Sequence, residues 1–256
     1  MYFNNVHIVF YLVIAVLGFA VGKFIAWCNE CFPEEKKIFS KEFFKANKEG
    51  LKNNYILMCL TAVMYVALLY KFGIKNVFYQ NLDLIKYLIL TPMLLSAFFV
   101  DLKHRIIPNR LNLTIFEIGL VLVFLYGLNN INIAKDMLLG MFTGAGIFVA
   151  ITLLGGLIAG KEAMGFGDVK FMGAIGLYFG AGSIAEISLL AFIIAAILSI
   201  IILLARFIMK KDDEYIPFGP FLVIAAIFCI FAPTNTVFLA FLSFCKMLSD
   251  KLLSVL

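Results

Sequence analysis

The chain consists largely of long apolar runs separated by short polar segments. Hydrophobic residues make up 63% of its 256 residues, charged residues make up 14%, and the mean hydropathy is +1.02. A soluble domain of this size cannot bury that much apolar surface, so the medium around these runs must be lipid. The sequence therefore predicts an all-α polytopic membrane protein.

Eight of the apolar runs approach the roughly 20 residues that cross a bilayer as a helix. They are His7–Trp27, Tyr55–Tyr70, Tyr87–Val100, Leu113–Gly127, Met137–Ala159, Val169–Gly182, Ile184–Phe207 and Ile216–Ala232. We therefore predict about eight transmembrane helices in a single membrane domain that covers residues 1–256.

The two ends of the chain need separate treatment. The first run is expected to remain as an anchor, since Met1–Asn5 lacks the basic residues that open a signal peptide. The tail Thr234–Leu256 is apolar overall but carries Lys246, Asp250 and Lys251. An interfacial helix and a ninth span both fit it, and we prefer the interfacial helix.

Lysine and arginine collect in the cytoplasmic loops of membrane proteins, so their distribution predicts the orientation. With the N-terminus outside, 15 of the 21 basic residues fall on the cytoplasmic side and 6 on the other. The cytoplasmic set is Lys23, the six lysines of Cys28–Asn53, Lys103, Arg105, Arg110, Lys161, Lys170, Arg206, Lys210 and Lys211. The net charge of +5 needs no nucleic-acid partner, because the same side chains serve topology and contact anionic lipid headgroups.

The residues Cys28–Asn53 form the one long hydrophilic segment between apolar runs, and we predict a cytoplasmic loop there. Glutamates are interspersed among its lysines, and its apolar residues include Phe39, Phe43 and Phe44. A short amphipathic helix on the membrane surface and a solvated charged hairpin both fit this composition.

Two carboxylates stand at the ends of apolar runs on the predicted cytoplasmic side. Asp101 follows the run Tyr87–Val100, and Asp168 ends the sequence Gly165-Phe166-Gly167-Asp168 just before another run. Taken singly, Asp168 can cap a helix N-terminus and Asp101 can pair with Arg105 one turn later. Capping does not explain the two glycines, whose missing side chains let backbone approach a neighbouring helix or an extended substrate closely.

Two carboxylates that share a proton can hydrolyse a peptide bond. One stays ionised as the general base for a water while the other donates to the carbonyl oxygen, and the titration belongs to the pair. The sequence lacks the residues for a zinc or a serine hydrolase, since His7 and His104 are the only histidines and it has neither an HExxH motif nor a serine nucleophile elbow. We therefore expect Asp101 and Asp168 to form one site at the cytoplasmic face.

Three stretches of the chain resemble the bacterial type IV prepilin leader peptidases, membrane aspartic proteases of the GxGD class. They are Asp101 with the downstream Ile107-Pro108-Asn109, the block Gly165-Phe166-Gly167-Asp168-Val169-Lys170, and Ile216-Pro217-Phe218-Gly219-Pro220-Phe221-Leu222. The resemblance covers residues 85–232, which we take as the peptidase core. It implies that Asp101 and Asp168 are the catalytic pair and that the following residues support the site: Pro108, Asn109, Gly165, Gly167, Lys170, Pro217 and Gly219.

This resemblance implies an endopeptidase of the bacterial cytoplasmic membrane that removes the short basic leader from type IV prepilins or pseudopilins, the subunits of type IV pili and of type II secretion. Cleavage falls just before the hydrophobic stem of the pilin, after a glycine that suits a glycine-lined site. Because the stem is itself a membrane helix, we expect the substrate to enter laterally from lipid into a groove between helices.

Many members of this family also methylate the new N-terminus with S-adenosylmethionine and carry two Cys-x-x-Cys pairs that suit a tetrahedral zinc site. This chain has only Cys28-Asn29-Glu30-Cys31, and its other three cysteines fall in apolar runs. We therefore predict that no zinc is bound and that Cys28 and Cys31 are thiols in a reducing compartment. A zinc site shared across a dimer is the alternative, so the oligomeric state, the N-methyltransferase activity and the use of S-adenosylmethionine stay open.

A different class of function is a transporter in which Asp101 and Asp168 bind cations or relay protons, because acids within membranes often mark ion pathways. Against it, both acids stand at the ends of their runs and the sequence has no paired hydrophobic half-repeats. A non-catalytic assembly scaffold would explain the helices but neither the paired acids nor the glycines.

Overall fold

The computed structural model describes residues 2–3, 6–31, 55–160, 164–209, 217–233 and 235–253. A short antiparallel pair of strands, β1 (Tyr2–Phe3) and β2 (Val6–His7), precedes a series of helices. The helices are α1 (Ile8–Cys31), α2 (Tyr55–Phe72), α3 (Leu82–His104), α4 (Asn109–Asn129), α5 (Ile131–Ala159), α6 (Phe166–Met209), α7 (Gly219–Phe231) and α8 (Thr236–Leu253), with a 3-10 turn at Phe78–Asn81 ahead of α3.

Six helices within the described residues are long and apolar enough to cross a membrane. The number rises to seven if Gly219–Phe231 and Thr236–Met247 form one span despite the bend of 104° between them. This confirms the prediction of an all-α polytopic membrane protein. The number differs from the eight predicted from sequence mainly because two predicted spans, Val169–Gly182 and Ile184–Phe207, lie within the single element α6.

Helix α6 is interrupted at Gly180, where the backbone is non-helical with φ 78° and ψ 172°. The interruption separates a first arm, residues 166–179, from a second arm, residues 181–209. A Cβ on Gly144 of α5 would lie 2.5 Å from the carbonyl oxygen of Met172 in the first arm and 3.0 Å from Ile184 Cγ1 in the second. Those two residues would be about 18 Å apart along a continuous helix. The chain therefore reverses direction at Gly180, and both arms pack against α5.

The side chain of Asp136, on α5, stabilises this reversal. Its Oδ1 accepts a hydrogen bond from the N–H of Ala181 at 3.2 Å, which caps the start of the second arm. A Cβ on Gly180 would overlap the same carboxylate. Glycine is therefore required at 180 both by its backbone conformation and by the space around it.

We expect Gly180→Ala to destabilise the protein, because the backbone conformation alone costs a side-chain-bearing residue about 1–3 kcal/mol. Thermal unfolding of the detergent-solubilised variant would measure the loss. Gly182→Ala is the matched control, since a Cβ there has nothing within 4 Å and alanine favours the helix. A Gly180→Ala protein as stable as the control would contradict this account of the reversal.

The first arm of α6 lies at the centre of the helix bundle and fixes the position of Asp168 at its start. Phe171, Met172 and Ile175 are fully buried. The Tyr178 hydroxyl donates to the carbonyl oxygen of Ile115 on α4 at 2.9 Å, and α5 crosses the arm so closely at Gly176 that a Cβ there would overlap backbone of α5. Helices α4 and α5 thus hold the arm from two sides.

The structure also refines both ends of the chain. Helix α1 continues one turn beyond the predicted end of the first span, so Cys28, expected in the cytoplasmic loop, is buried in the helix instead. The rest of that predicted loop, residues 32–53, lies outside the described residues. The tail contains the helix Thr236–Leu253; whether it is interfacial or spanning stays a prediction.

Candidate active site

Asp101 lies in the last turn of α3, where the chain turns sharply into α4. Arg105 follows the helix in the left-handed conformation, with φ 58°, and its N–H donates to the backbone carbonyl of Asp101 at 2.8 Å. Pro108 then precedes the first residue of α4, where its fixed φ suits a helix start. The Asp101 side chain is only 4% exposed.

Asp168 lies in the first turn of α6 and is 8% exposed. Its N–H donates to the carbonyl oxygen of Gly165 at 3.1 Å, which closes the turn that precedes the first arm. The N-terminal turn of a helix favours a negative charge. The position at a helix start that we predicted for Asp168 is therefore present, together with burial that a simple surface cap would not require.

Helix α7 reaches the same place from a third direction. Gly219, the first residue of α7, lies directly against the Asp101 carboxylate, so the start of α7 faces that acid. A Cβ on Gly219 would lie 2.5 Å from Asp101 Oδ2, which makes the lack of a side chain necessary for this contact. Oδ2 itself is buried and has no hydrogen-bond partner among the described residues.

Both carboxylates line one cavity of about 480 Å³. Eight of the nine residues proposed from the sequence line it, and the ninth, Gly219, contacts Asp101. The eight are Asp101, Pro108, Asn109, Gly165, Gly167, Asp168, Lys170 and Pro217. The three stretches that carry the sequence resemblance therefore meet in one place, although Asp101 and Pro217 are about 116 residues apart in the sequence.

The side chains around this cavity can support acid–base chemistry on a peptide bond. Two buried carboxylates that face a common space disfavour a second negative charge, so such a pair holds a proton between them. Arg105, Arg110 and Lys170 also line the cavity, and their positive charges offset the charge that remains on the pair. The cavity is large enough for a water and several residues of an extended chain.

Polar contacts tie α4 to the turn that carries Asp168. Lys170 Nζ donates to Asn109 Oδ1 at 2.9 Å, and Asn112 Nδ2 donates to the carbonyl oxygen of Gly167 at 3.2 Å. Our sequence analysis missed Asn112. A signal was available, because Asn112 follows Asn109 by three residues and so lies on the same helix face, and an amide directly beside an apolar run is costly to bury unless it is hydrogen-bonded.

The structure changes the reason for two of the glycines. A Cβ on Gly167 would lie 3.6 Å from the nearest atom, the carbonyl oxygen of Ile107, and one on Gly165 would lie 3.8 Å from Asp168 Oδ2. These are ordinary contact distances, so close helix packing does not require glycine at either position. The other explanation, room for an extended substrate beside Asp168, stays a prediction.

The donors available for a metal are few in the part of the chain that the structure describes. Cys28 and Cys31 belong to α1, and Cys59, Cys229 and Cys245 belong to three other helices. Within these residues no group of three or more histidine, cysteine, aspartate or glutamate side chains is placed to hold a metal ion. A structural zinc site takes four ligands, of which the sequence Cys28-Asn29-Glu30-Cys31 could supply two.

Comparison with known proteins gives one consistent group of relatives. Residues 88–204 match the model of the type IV leader peptidase family. The chain is 32% identical to a prepilin leader peptidase/N-methyltransferase of Xanthomonas campestris pv. campestris, over 65% of this chain and 54% of the relative. It is 31% identical to the protein of that name in Legionella pneumophila, over 67% of this chain and 56% of the relative.

A more distant relative is the type 4 prepilin-like proteins leader peptide-processing enzyme of Escherichia coli, which is 26% identical over 56% of this chain and 50% of the relative. The chain thus spans about half the length of the curated relatives it matches. No solved structure matches it.

Proposed function

This chain belongs to the type IV leader peptidase family, and we propose that it is a membrane aspartic endopeptidase that removes the leader peptide from type IV prepilins or pseudopilins. The observation that carries the proposal is the meeting of Asp101 and Asp168, both buried, at one cavity. Most of the other residues that line this cavity belong to the three motif stretches on which the resemblance rests.

In the proposed reaction the two carboxylates hold one proton and bind a water between them and the substrate. The ionised carboxylate takes a proton from the water as its oxygen attacks the carbonyl carbon, and the protonated one donates to the carbonyl oxygen. The resulting diol then collapses: one of its hydroxyls returns a proton to the ionised carboxylate as the C–N bond breaks, and the departing amine takes a proton from the protonated carboxylate, so that the pair again holds one proton. Because the two acids titrate together, neither role is assigned to one residue.

Gly219 supports this chemistry by its close approach to Asp101. A carboxylate on the last turn of a helix is otherwise free to rotate, and the backbone at the start of α7 restricts this rotation from one side. Asn112 does the corresponding work for the turn before Asp168 through the Gly167 carbonyl. Both are positioning residues, since they act through the carboxylates.

We propose an outside N-terminus and a catalytic cavity at the cytoplasmic face. The reversal at Gly180 supports this, because two arms that each cross the membrane, together with α1 to α5 and α7, make the eight crossings predicted from the sequence. Under that count Asp101, Asp168 and the start of α7 share one side with most of the basic residues. The first arm is short for a span, but its burial among other helices removes the need to match lipid thickness.

The proposed setting is the bacterial cytoplasmic membrane, and the proposed substrate is a prepilin whose apolar stem lies in the same bilayer. Residues 85–232 would form the peptidase core, because they include all three motif stretches. The relatives are named as peptidase and N-methyltransferase together. Methylation of the new N-terminus with S-adenosylmethionine is therefore a second candidate activity, and we assign none of the described residues to it.

The test of the proposed function is direct. Purified protein in detergent, incubated with a prepilin, should yield the shortened pilin and the free leader, which mass spectrometry would locate at the bond before the apolar stem. A transporter would leave the prepilin intact and move ions across vesicles instead; no observation in the fold or among the relatives favours it. An intact prepilin after incubation with folded protein would refute the peptidase.

We expect replacement of both Cys28 and Cys31 by serine to change prepilin cleavage less than about twofold, because two thiols cannot complete a structural zinc site in one chain. Metal analysis of the purified wild-type protein should find no stoichiometric zinc. The contrary result is equally definite: about one zinc per two chains, with loss of the dimer on chelation, would indicate a four-thiolate site shared between two protomers.

A further inference from the structure

An open groove lies on the outer face of the bundle between α4, α5 and the first arm of α6. Its volume is about 570 Å³. The residues that form it are mostly apolar or small, namely Leu113, Phe116, Met141, Ala145, Val149 and Gly173. We call it the lateral groove. In a bilayer its mouth would face lipid, since Leu113 is 55% exposed and Val149 is 37% exposed.

The lateral groove adjoins the catalytic cavity. Asn109, Phe166 and Lys170 line both spaces, so a chain that occupies the groove would reach the cavity at these three side chains. A second apolar groove, between α1, α2, α3 and α4, has a volume of about 670 Å³ but shares only Arg110 with the cavity. The shared lining with the catalytic cavity therefore distinguishes the lateral groove from the larger one.

The floor of the lateral groove consists of small residues. A Cβ on Gly173 would lie 3.3 Å from the Cβ of Ala145 on α5, and Ala174 lines the groove beside them. Helices approach each other closely in membranes where such small residues face them. The floor thus suits one face of an apolar helix that lies along α5 and the first arm.

A buried polar group marks the junction between the groove and the cavity. Asn112 is 4% exposed and lines the groove. Its Nδ2 is bonded to the Gly167 carbonyl, whereas its Oδ1 is buried without a hydrogen-bond partner among the described residues. An unpaired buried acceptor is costly, and a backbone N–H at the start of a bound helix is a donor that would satisfy it.

We propose that the lateral groove binds the apolar helix that follows the scissile bond of the substrate, with Asn112 at the end nearest the catalytic pair. This inference rests on the proposed function and names where the substrate is held. The first residues of the bound helix would lie at Asn109 and Asn112, and the scissile bond would extend into the cavity beside Asp168. Lipid would cover the remaining side of the helix.

Site-specific photocrosslinking tests this proposal. A photoreactive phenylalanine analogue would replace Val149 in the lateral groove or Phe24 in the second groove, two positions that are 37% and 41% exposed. Both would be made in Asp168→Asn protein so that bound prepilin is not consumed. We expect at least tenfold more crosslinked prepilin from position 149 than from position 24. Equal yields, a greater yield from position 24, or no crosslink from either would overturn the proposal.

A substitution that fills the lateral groove with a larger side chain gives a second test of helix binding. Ala145→Leu would place a larger side chain on the floor of the groove, and Gly146→Leu would add one at the next residue, where a Cβ has nothing within 4 Å. We expect Ala145→Leu to raise the KM for full-length prepilin at least tenfold relative to Gly146→Leu, with comparable kcat, because only helix binding is obstructed. Equal KM values would overturn the proposal. Failure of the wild-type protein to cleave prepilin would instead refute the proposed function.

Discussion

Replacement of either Asp101 or Asp168 by asparagine is expected to lower prepilin cleavage at least about 100-fold, the usual contribution of a positioned acid or base. An amide is nearly the same size as a carboxylic acid but neither gives up nor takes a proton, and the pair needs one of each form in every cycle. Rates of cleavage by purified variants, measured against a single prepilin, would give the effect.

The matched control is Glu117→Gln, which makes the same chemical change at an exposed carboxylate on α4, outside the residues that line the cavity. It should cleave at close to the wild-type rate. Thermal unfolding of all three variants would separate catalytic loss from misfolding. If either aspartate variant retained near-normal cleavage while folded, the catalytic assignment of that residue would be wrong.

The helical architecture could be predicted because it follows from composition and run length alone. Apolar runs of about 20 residues have few alternatives in lipid, and the described helices coincide with them. The sequence predicts helix ends less well, as α1 illustrates: Cys28 to Cys31, which we expected in the loop, continue the helix. Backbone hydrogen bonding, which local hydropathy does not report, decides such boundaries.

The position of the reversal at Gly180 could be predicted from the sequence, but its cause could not. The sequence placed a boundary between Val169–Gly182 and Ile184–Phe207, close to the observed interruption. It could not supply the reason, because the carboxylate that caps the second arm comes from Asp136 on another helix. Contacts between residues distant in sequence depend on how the helices pack, and the local pattern of one sequence does not predict them.

The same limit applies to the candidate site. The motifs predict the residues around the cavity, because they place polar groups at the ends of apolar runs that we expect to lie on one side of the membrane. Their separate tasks were not predictable. The sequence predicts that Gly165 and Gly167 allow close approach of a neighbouring helix or a substrate, but the structure leaves room for a Cβ at both. Gly219, which the sequence singles out only as part of a motif, is the glycine in close contact with Asp101.

Gly219 therefore leads to the second large expected effect. Gly219→Ala would place a methyl group 2.5 Å from Asp101 Oδ2, so that either the carboxylate rotates away or the start of α7 withdraws from the acid. A displacement of about 1 Å at a reacting group can cost about 100-fold in rate, and we expect a loss of that order in kcat for prepilin cleavage.

Gly182→Ala provides the control for Gly219→Ala, because it adds the same methyl group to a helical glycine outside the residues that line the cavity, where a Cβ has nothing within 4 Å. We expect it to retain at least about one third of the wild-type rate, since no group must move to accept the methyl group. Equal losses from the two variants would mean that the loss does not depend on where the methyl group is added, and the specific contact between Gly219 and Asp101 would lose its support. A large loss from Gly219→Ala alone, in protein whose unfolding temperature is unchanged, is the result that the position of α7 against Asp101 requires.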